Sequence, residues 1–232
     1  MHVVIPVKRM RLAKRRLSAC LAPPEREALA RAMLADLLER LAAVAGVERV
    51  VLVSDEPRLP PPPPGLRVER FAGGGAGLNA ELAAALAALA SRGARRVLVL
   101  HADLPLAAAR DLQALVDAGR AASAPCVVLV PDRHRRGTNA MLLAPPDALA
   151  PRFGAGSLAR HARAARRRGV EPRVMTLETL GLDVDAPADL AAALAAAGTR
   201  RGDDAPFGRA LSLIRAGRAR LPVADSDGAA AP

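Results

Sequence analysis

The chain has no tryptophan, no tyrosine and only three phenylalanines in 232 residues. It therefore has few of the flat rings on which single-stranded nucleic acids stack. Lysine is almost as scarce: of 34 Lys and Arg residues, all but Lys8 and Lys14 are arginine. Its two cysteines, Cys20 and Cys126, form no CxxC and no Cys/His group at zinc spacing, which excludes a disulfide framework and a zinc ribbon. Long apolar runs are missing as well. The Ala/Leu stretches at 82–90 and 190–197 fall short of the roughly 20 residues a membrane helix needs. No apolar h-region follows the cations at 8 and 9, so no signal peptide is expected. The expectation is a cytoplasmic protein with no membrane partner.

What is present is a globular composition. Apolar residues make up 51% and charged residues 25%, too apolar a balance for a disordered chain. The net charge of +11 raises the possibility of a nucleic-acid-binding module. No binding motif accompanies it, and nucleic acid is not expected as a partner. Much of the arginine and alanine excess reads as compositional bias.

Short β-branched runs alternate with longer Ala/Leu patterns. Val3–Val7, Val50–Val53, Leu66–Val68, Val97–Leu100, Val127–Val130 and 138–144 read as strands. Helices are expected from Pro23 onward with Leu29, Met33, Leu37 and Leu41 on one face, and from Leu78 with Leu82, Leu86 and Leu89. Further helices are expected over about 107–121, 157–168 and 186–197. Repeated strand–helix–strand units predict an α/β, Rossmann-like three-layer sandwich with a mostly parallel sheet. Residues 1–198 read as one domain. Residues 199–232 read as a basic, partly helical appendage with a disordered end. The five prolines at 60–64 read as a rigid loop.

In such a sheet, ligands bind outside the carboxyl ends of the strands. After the first strand comes KRMRLAKRR, six cations in nine residues with no acid. A cation run can be a solvated face, but this one follows a buried strand at the ligand edge. His101-Ala-Asp103-Leu-Pro follows VLVL, and Asp183-Val-Asp185 offers two carboxylates to one side of an extended segment. Three carboxylates opposite cations suit Mg²⁺ and polyphosphate. Asp103 reads equally as a turn residue and Asp185 as a helix N-cap. The Gly-rich stretch 72–77 leads into a helix, though it lacks the Walker pattern. Arg152-Phe-Gly154-Ala-Gly-Ser157 offers a second anion site, with Ser157 as the expected N-cap. His161 is expected at the surface and His134 in solvent.

The segments IPVKRMRLAKRRL, AGLNAEL, ADLPL, GTNAMLL, RFGAGSLARH and LDVDAPADL occur in this order. Together they resemble the 2-phospholactate guanylyltransferase family of coenzyme F-420 biosynthesis, over about residues 1–197. The resemblance implies a GT-A-type fold. It also implies transfer of GMP from GTP to a phosphorylated three-carbon acid, with release of pyrophosphate. That acid would be 2-phospholactate, phosphoenolpyruvate or 3-phosphoglycerate, and the product would pass to a deazaflavin transferase. Asp103, Asp183 and Asp185 would hold Mg²⁺, and Thr138, Gly154 and Ser157 would grip the acid. Lys8 and Lys14 would face the triphosphate, with Gly77, Leu78 and Asn79 lining the nucleotide pocket. His101 departs from the small or apolar residue expected there. The sequence leaves the oligomeric state open, a homodimer being one option. Nucleotidyltransferases for sugar phosphates or molybdopterin usually open with an LAGGxGTR-like loop, which IPVKRM replaces.

Overall fold

A computed structural model describes residues 1–198 and 208–218 of the chain. Seven strands form one sheet: β1 (His2–Pro6), β2 (Arg49–Val53), β3 (Val68–Phe71), β4 (Val97–Leu100), β5 (Cys126–Pro131), β6 (Thr138–Ala144) and β7 (Arg173–Val174). Their order across the sheet is β3-β2-β1-β4-β6-β5-β7. Pairing is parallel except at β6, which runs antiparallel to both β4 and β5. The third strand begins at Val68 rather than Leu66, because Leu66 closes a turn through its N–H to the Pro63 carbonyl.

The described helices are α1 (Pro23–Ala42), α2 (Leu78–Ser91), α3 (Ala109–Ala121), α4 (Ser157–Arg166), α5 (Pro187–Gly198) and α6 (Gly208–Arg218). The four apolar positions read on α1 are all buried. The helix expected from about 107 starts at Ala109, after a turn closed by the Ala107 N–H on the Leu104 carbonyl.

Alternation within the strands sends side chains to both faces, and each face has its own core. Val3, Ile5, Leu98 and Leu100 join Leu37 and Leu38 of α1 and Leu112 and Leu115 of α3. Val4, Val97 and Val99 join Leu82 and Leu86 of α2 and Ala164 and Ala165 of α4. The central strands are therefore apolar on both faces, as a covered sheet requires, while the edge strands β3 and β7 carry the charged residues Glu69, Arg70 and Arg173. A third cluster gathers Met33 of α1, Leu190 and Ala193 of α5, and Ala210 and Ile214 of α6. Helix α6 is the described part of the segment read as a basic appendage; the expected disordered end lies outside the described residues. Asp36 of α1 fixes it by accepting the Ala210 N–H at 3.1 Å, and Arg209 pairs with Glu39 at 2.6 Å.

Candidate active site

The chain leaves β1 toward β2 on one side, while β4 lies on the other, so a crevice opens beyond the carboxyl ends of β1 and β4. The cation loop fills its β1 side. Glu56, in the loop after β2, holds the cation loop by accepting the Met10 N–H at 2.7 Å, and its other oxygen accepts the Arg58 N–H of its own loop at 3.1 Å. Burial opposes charge on Glu56, but these two N–H groups and Arg31 outweigh it and hold its carboxyl below the usual range. Within the anchored loop Lys14 takes a left-handed backbone conformation (φ 54°), uncommon for a residue with a Cβ.

Its ammonium enters the carboxylate cluster. Lys14 Nζ donates to Asp103 Oδ2 at 2.8 Å and to Asp185 Oδ1 at 2.9 Å, and its side chain is only 7% exposed. Asp103 follows β4. Asp183 and Asp185 lie before α5, and the Val184 N–H donates to the Asp103 carbonyl at 3.1 Å, joining the two segments. Asp185 is not the N-cap of α5. Asp189, inside the first turn, reaches back to accept the N–H groups of Asp185 and Ala186, leaving the Asp185 carboxylate for Lys14.

Oxygens from Asp103, Asp183 and Asp185 lie within 4.8 Å of one another. Burial works against the Asp103 carboxylate, but Lys14 and then His101 outweigh it and hold its pKa below the usual carboxylate value. Burial likewise disfavours the Lys14 charge, and Asp103 and Asp185 more than offset this, raising its pKa. Asp183 differs: burial pushes it up and the neighbouring Asp103 adds to the rise. One ammonium thus leaves the cluster short of positive charge. Asp103 Oδ1 is also buried with no hydrogen-bond partner among the described residues. An all-oxygen donor set with an unmatched oxygen fits a hard divalent cation.

The antiparallel direction of β6 brings its first residues to this same edge, and Ala140 lies opposite Leu100. Thr138 and Asn139 are buried there. Asn139 donates to the Leu180 carbonyl at 2.9 Å, and its own carbonyl accepts the His101 N–H at 3.0 Å. Asp132 shapes the connection from β5 by accepting the N–H groups of Arg136 and Gly137, each at 2.8 Å.

Beside Thr138, the loop 152–157 turns into α4. Gly154 and Gly156 have positive φ (114° and 67°), conformations that a side chain would strain. Gly156 therefore occupies the cap and Ser157 is the first helical residue, contrary to the expected N-cap role for Ser157. The Ser157 hydroxyl instead lies 3.3 Å from Thr138 Oγ1. His161 is fully buried, not at the surface, because it shares the inward face of α4 with Ser157, Ala164 and Ala165. His134 is exposed, as expected.

Phe153 connects the two halves of the edge. Its ring centroid is 4.9 Å from that of His101 and 4.9 Å from that of His161. His101 in turn places Nδ1 4.0 Å from Asp103 Oδ1. Asn79 of α2 clamps the Phe153 backbone, accepting its N–H at 2.7 Å and donating to its carbonyl at 3.2 Å. Both ends of the Asn79 amide thereby tie the Gly77–Leu78 helix start to the 152–157 loop. Gly77 precedes α2 at φ 91°, and Lys8 is exposed at the start of the cation loop. The structure thus gathers Lys14 with the three aspartates, and Thr138 with Ser157. Asn139, Phe153, His161 and Glu56 were missed among the individual candidates. The Ser157–His161 spacing of four is the signal that could have placed His161 inward.

Residues 1–202 match the family model described as guanylyl transferase CofC like. The chain belongs to that family. It is 42% identical over 187 residues to the phosphoenolpyruvate guanylyltransferase of Sphaerobacter thermophilus, covering 81% of this chain and 89% of that one. It is 38% identical over 191 residues to the 2-phospho-L-lactate guanylyltransferase of Halorubrum lacusprofundi, covering 82% of each. The CofC-like chain is accordingly an enzyme of the nucleotidyltransferase class. Its fold is similar to a solved structure from Desulfovibrio desulfuricans G20 assigned to the nucleotide-diphospho-sugar transferases, with TM-score 0.73, 18% identity and coverage of 94% and 95%. A CMP:2-keto-3-deoxy-manno-octonic acid synthetase complexed with CTP also shares it, at TM-score 0.52, 17% identity and coverage of 82% and 95%. No helix among the described residues is long and apolar enough to cross a membrane.

Proposed function

We propose that this enzyme joins GMP from GTP to the phosphate of a three-carbon phosphorylated acid and releases pyrophosphate, for coenzyme F-420 biosynthesis. Phosphoenolpyruvate is the first candidate acid, since the Sphaerobacter thermophilus relative, the more similar of the two given above, carries that name. The observation that carries the reading is one sheet edge with two unlike halves: carboxylates around Lys14, and a neutral hydroxyl pair beside two left-handed glycines.

The acceptor in this reading is a phosphate oxygen of the acid. At neutral pH a phosphomonoester carries about −1.5 to −2 charge and needs no general base. That oxygen attacks the α-phosphorus of GTP; the new P–O bond forms as the bond to the pyrophosphate oxygen breaks. The principal obstacle is repulsion between two polyanions, so positioning and charge dominate, as in other phosphoryl transfers. Mg²⁺ held by Asp103, Asp183 and Asp185 would supply charge neutralisation for the triphosphate. Lys8 and Lys14 add positive charge from the β1 loop, and Gly77, Leu78 and Asn79 line the nucleotide side. Thr138, Gly154 and Ser157 hold the acid through hydroxyls and close backbone approach.

The experiment is a mass spectrum of the product formed from GTP, Mg²⁺ and an equimolar mixture of phosphoenolpyruvate, 2-phospholactate and 3-phosphoglycerate. The expected result is a GMP adduct, mainly of phosphoenolpyruvate, with stoichiometric pyrophosphate. No adduct with any acid would refute the reading.

A further inference from the structure

His161 Nε2 lies 2.9 Å from the backbone nitrogen of Arg152. A backbone N–H can only donate, so Nε2 is the acceptor and carries no proton. The neutral ring then has its proton on Nδ1. Nδ1 is 3.0 Å from Thr138 Oγ1, so this second bond runs from the ring to the hydroxyl oxygen. The neutral form is the one present near neutrality: burial, together with Arg160, Arg152 and His101, pushes the His161 pKa down to about 4.

The direction of that bond matters for its neighbours. Thr138 and Ser157 form a hydroxyl pair 3.3 Å apart. The pair has two hydroxyl hydrogens and one internal bond. Because His161 donates, it takes up neither hydrogen, and one is left for an incoming acceptor. The opposite tautomer would absorb that hydrogen and turn lone pairs toward an anion. The geometry points to His161 as a positioning residue that keeps the Thr138–Ser157 pair a hydrogen-bond donor to the phosphorylated acid. This inference rests on the reading that Thr138 and Ser157 hold that acid.

Two substitutions separate the ring's two bonds. His161→Gln can set its amide oxygen where Nε2 accepts from Arg152, but it loses the donor to Thr138. His161→Asn can set its NH₂ where Nδ1 donates, but it loses the acceptor for Arg152. Steady-state kinetics are measured for both with phosphoenolpyruvate and GTP varied in turn. The expected result is a KM for phosphoenolpyruvate raised about tenfold in His161→Gln, with KM for GTP unchanged, and within about threefold of the unmodified enzyme in His161→Asn. Equal KM in the two variants, or the reverse order, would overturn the inference and leave the ring as a prop for the Arg152 backbone. Thr138→Val tells this failure from that of the underlying reading. An unchanged KM for phosphoenolpyruvate in Thr138→Val removes the acid from Thr138, and the inference falls with it. A tenfold rise there beside an unaffected His161→Gln overturns the role of His161 alone.

Discussion

On the β1–β4 side of the sheet edge, Lys14 sits among three aspartates and every described contact of its ammonium is ionic. On the β6–α4 side, Thr138, Ser157 and a neutral His161 make their contacts without a formal charge. The neutral group is buried and the ionic one only partly, with the Asp185 side chain about half exposed, and they respond to a ligand differently. A cluster short of positive charge can take up a cation by rearranging one flexible lysine. A neutral relay has its direction fixed by the backbone N–H at its far end and presents the same donor before and after binding. The first half suits a polyphosphate accompanied by metal, and the second suits a small anion that must be oriented.

The largest expected effect tests the ionic half. Asp103→Asn should lower turnover by more than about 100-fold, beyond what changes outside a metal's immediate ligands usually cost, with an unchanged circular dichroism spectrum. Turnover near that of the unmodified enzyme would remove Asp103 from the metal site.

The neutral half should reveal itself in acid. His161 has its ordinary value of 6.5 when unfolded and about 4 when folded. Above pH 6.5 both states are neutral and its contribution is complete. As the pH falls toward 4 the unfolded state binds the proton first, so stability is lost, by up to about 3 kcal/mol for this group. Urea unfolding at pH 7 and pH 4.5 should show a fall that is smaller in His161→Gln. Equal falls in both proteins would contradict the buried neutral ring.

Lys14→Met leaves the carboxylates without their ammonium and should cost about 2 kcal/mol at pH 7. Its melting temperature should also rise more on Mg²⁺ addition than that of the unmodified chain, since the cation then has more charge to balance. A smaller rise would count against a cation site at the aspartates. The smallest effect concerns the loop that carries Lys14. Glu56→Gln keeps the shape but weakens the grip on Met10 and Arg58, costing about 1 kcal/mol in urea unfolding. No change would mean that the loop holds without Glu56.

Much of this architecture was legible in the chain because buried parallel strands leave plain runs such as VVLV, and Leu29, Met33, Leu37 and Leu41 recur at helical spacing. The aspartates were legible because they follow strands or stand two apart. The direction of β6 was not, since TNAMLLA reads alike either way, yet that direction brings Thr138 to the ligand edge. His161 was misread as a surface residue because five arginines nearby make α4 look solvated; its inward position depends on spacing from Ser157, not on composition. The Asp189 cap and the Glu56 anchor depend on contacts across turns and loops that no local pattern marks.

Helix α6 has a practical consequence. The family match ends at residue 202, before α6 begins at Gly208. Ala210, Leu211 and Ile214 nevertheless fill a seam shared with Met33, Leu190 and Ala193. A chain cut at the family boundary would keep every proposed ligand-binding residue and still present a bare oily strip to solvent. Such a fragment should self-associate and sediment as a mixture, although no part of its chemistry has been removed.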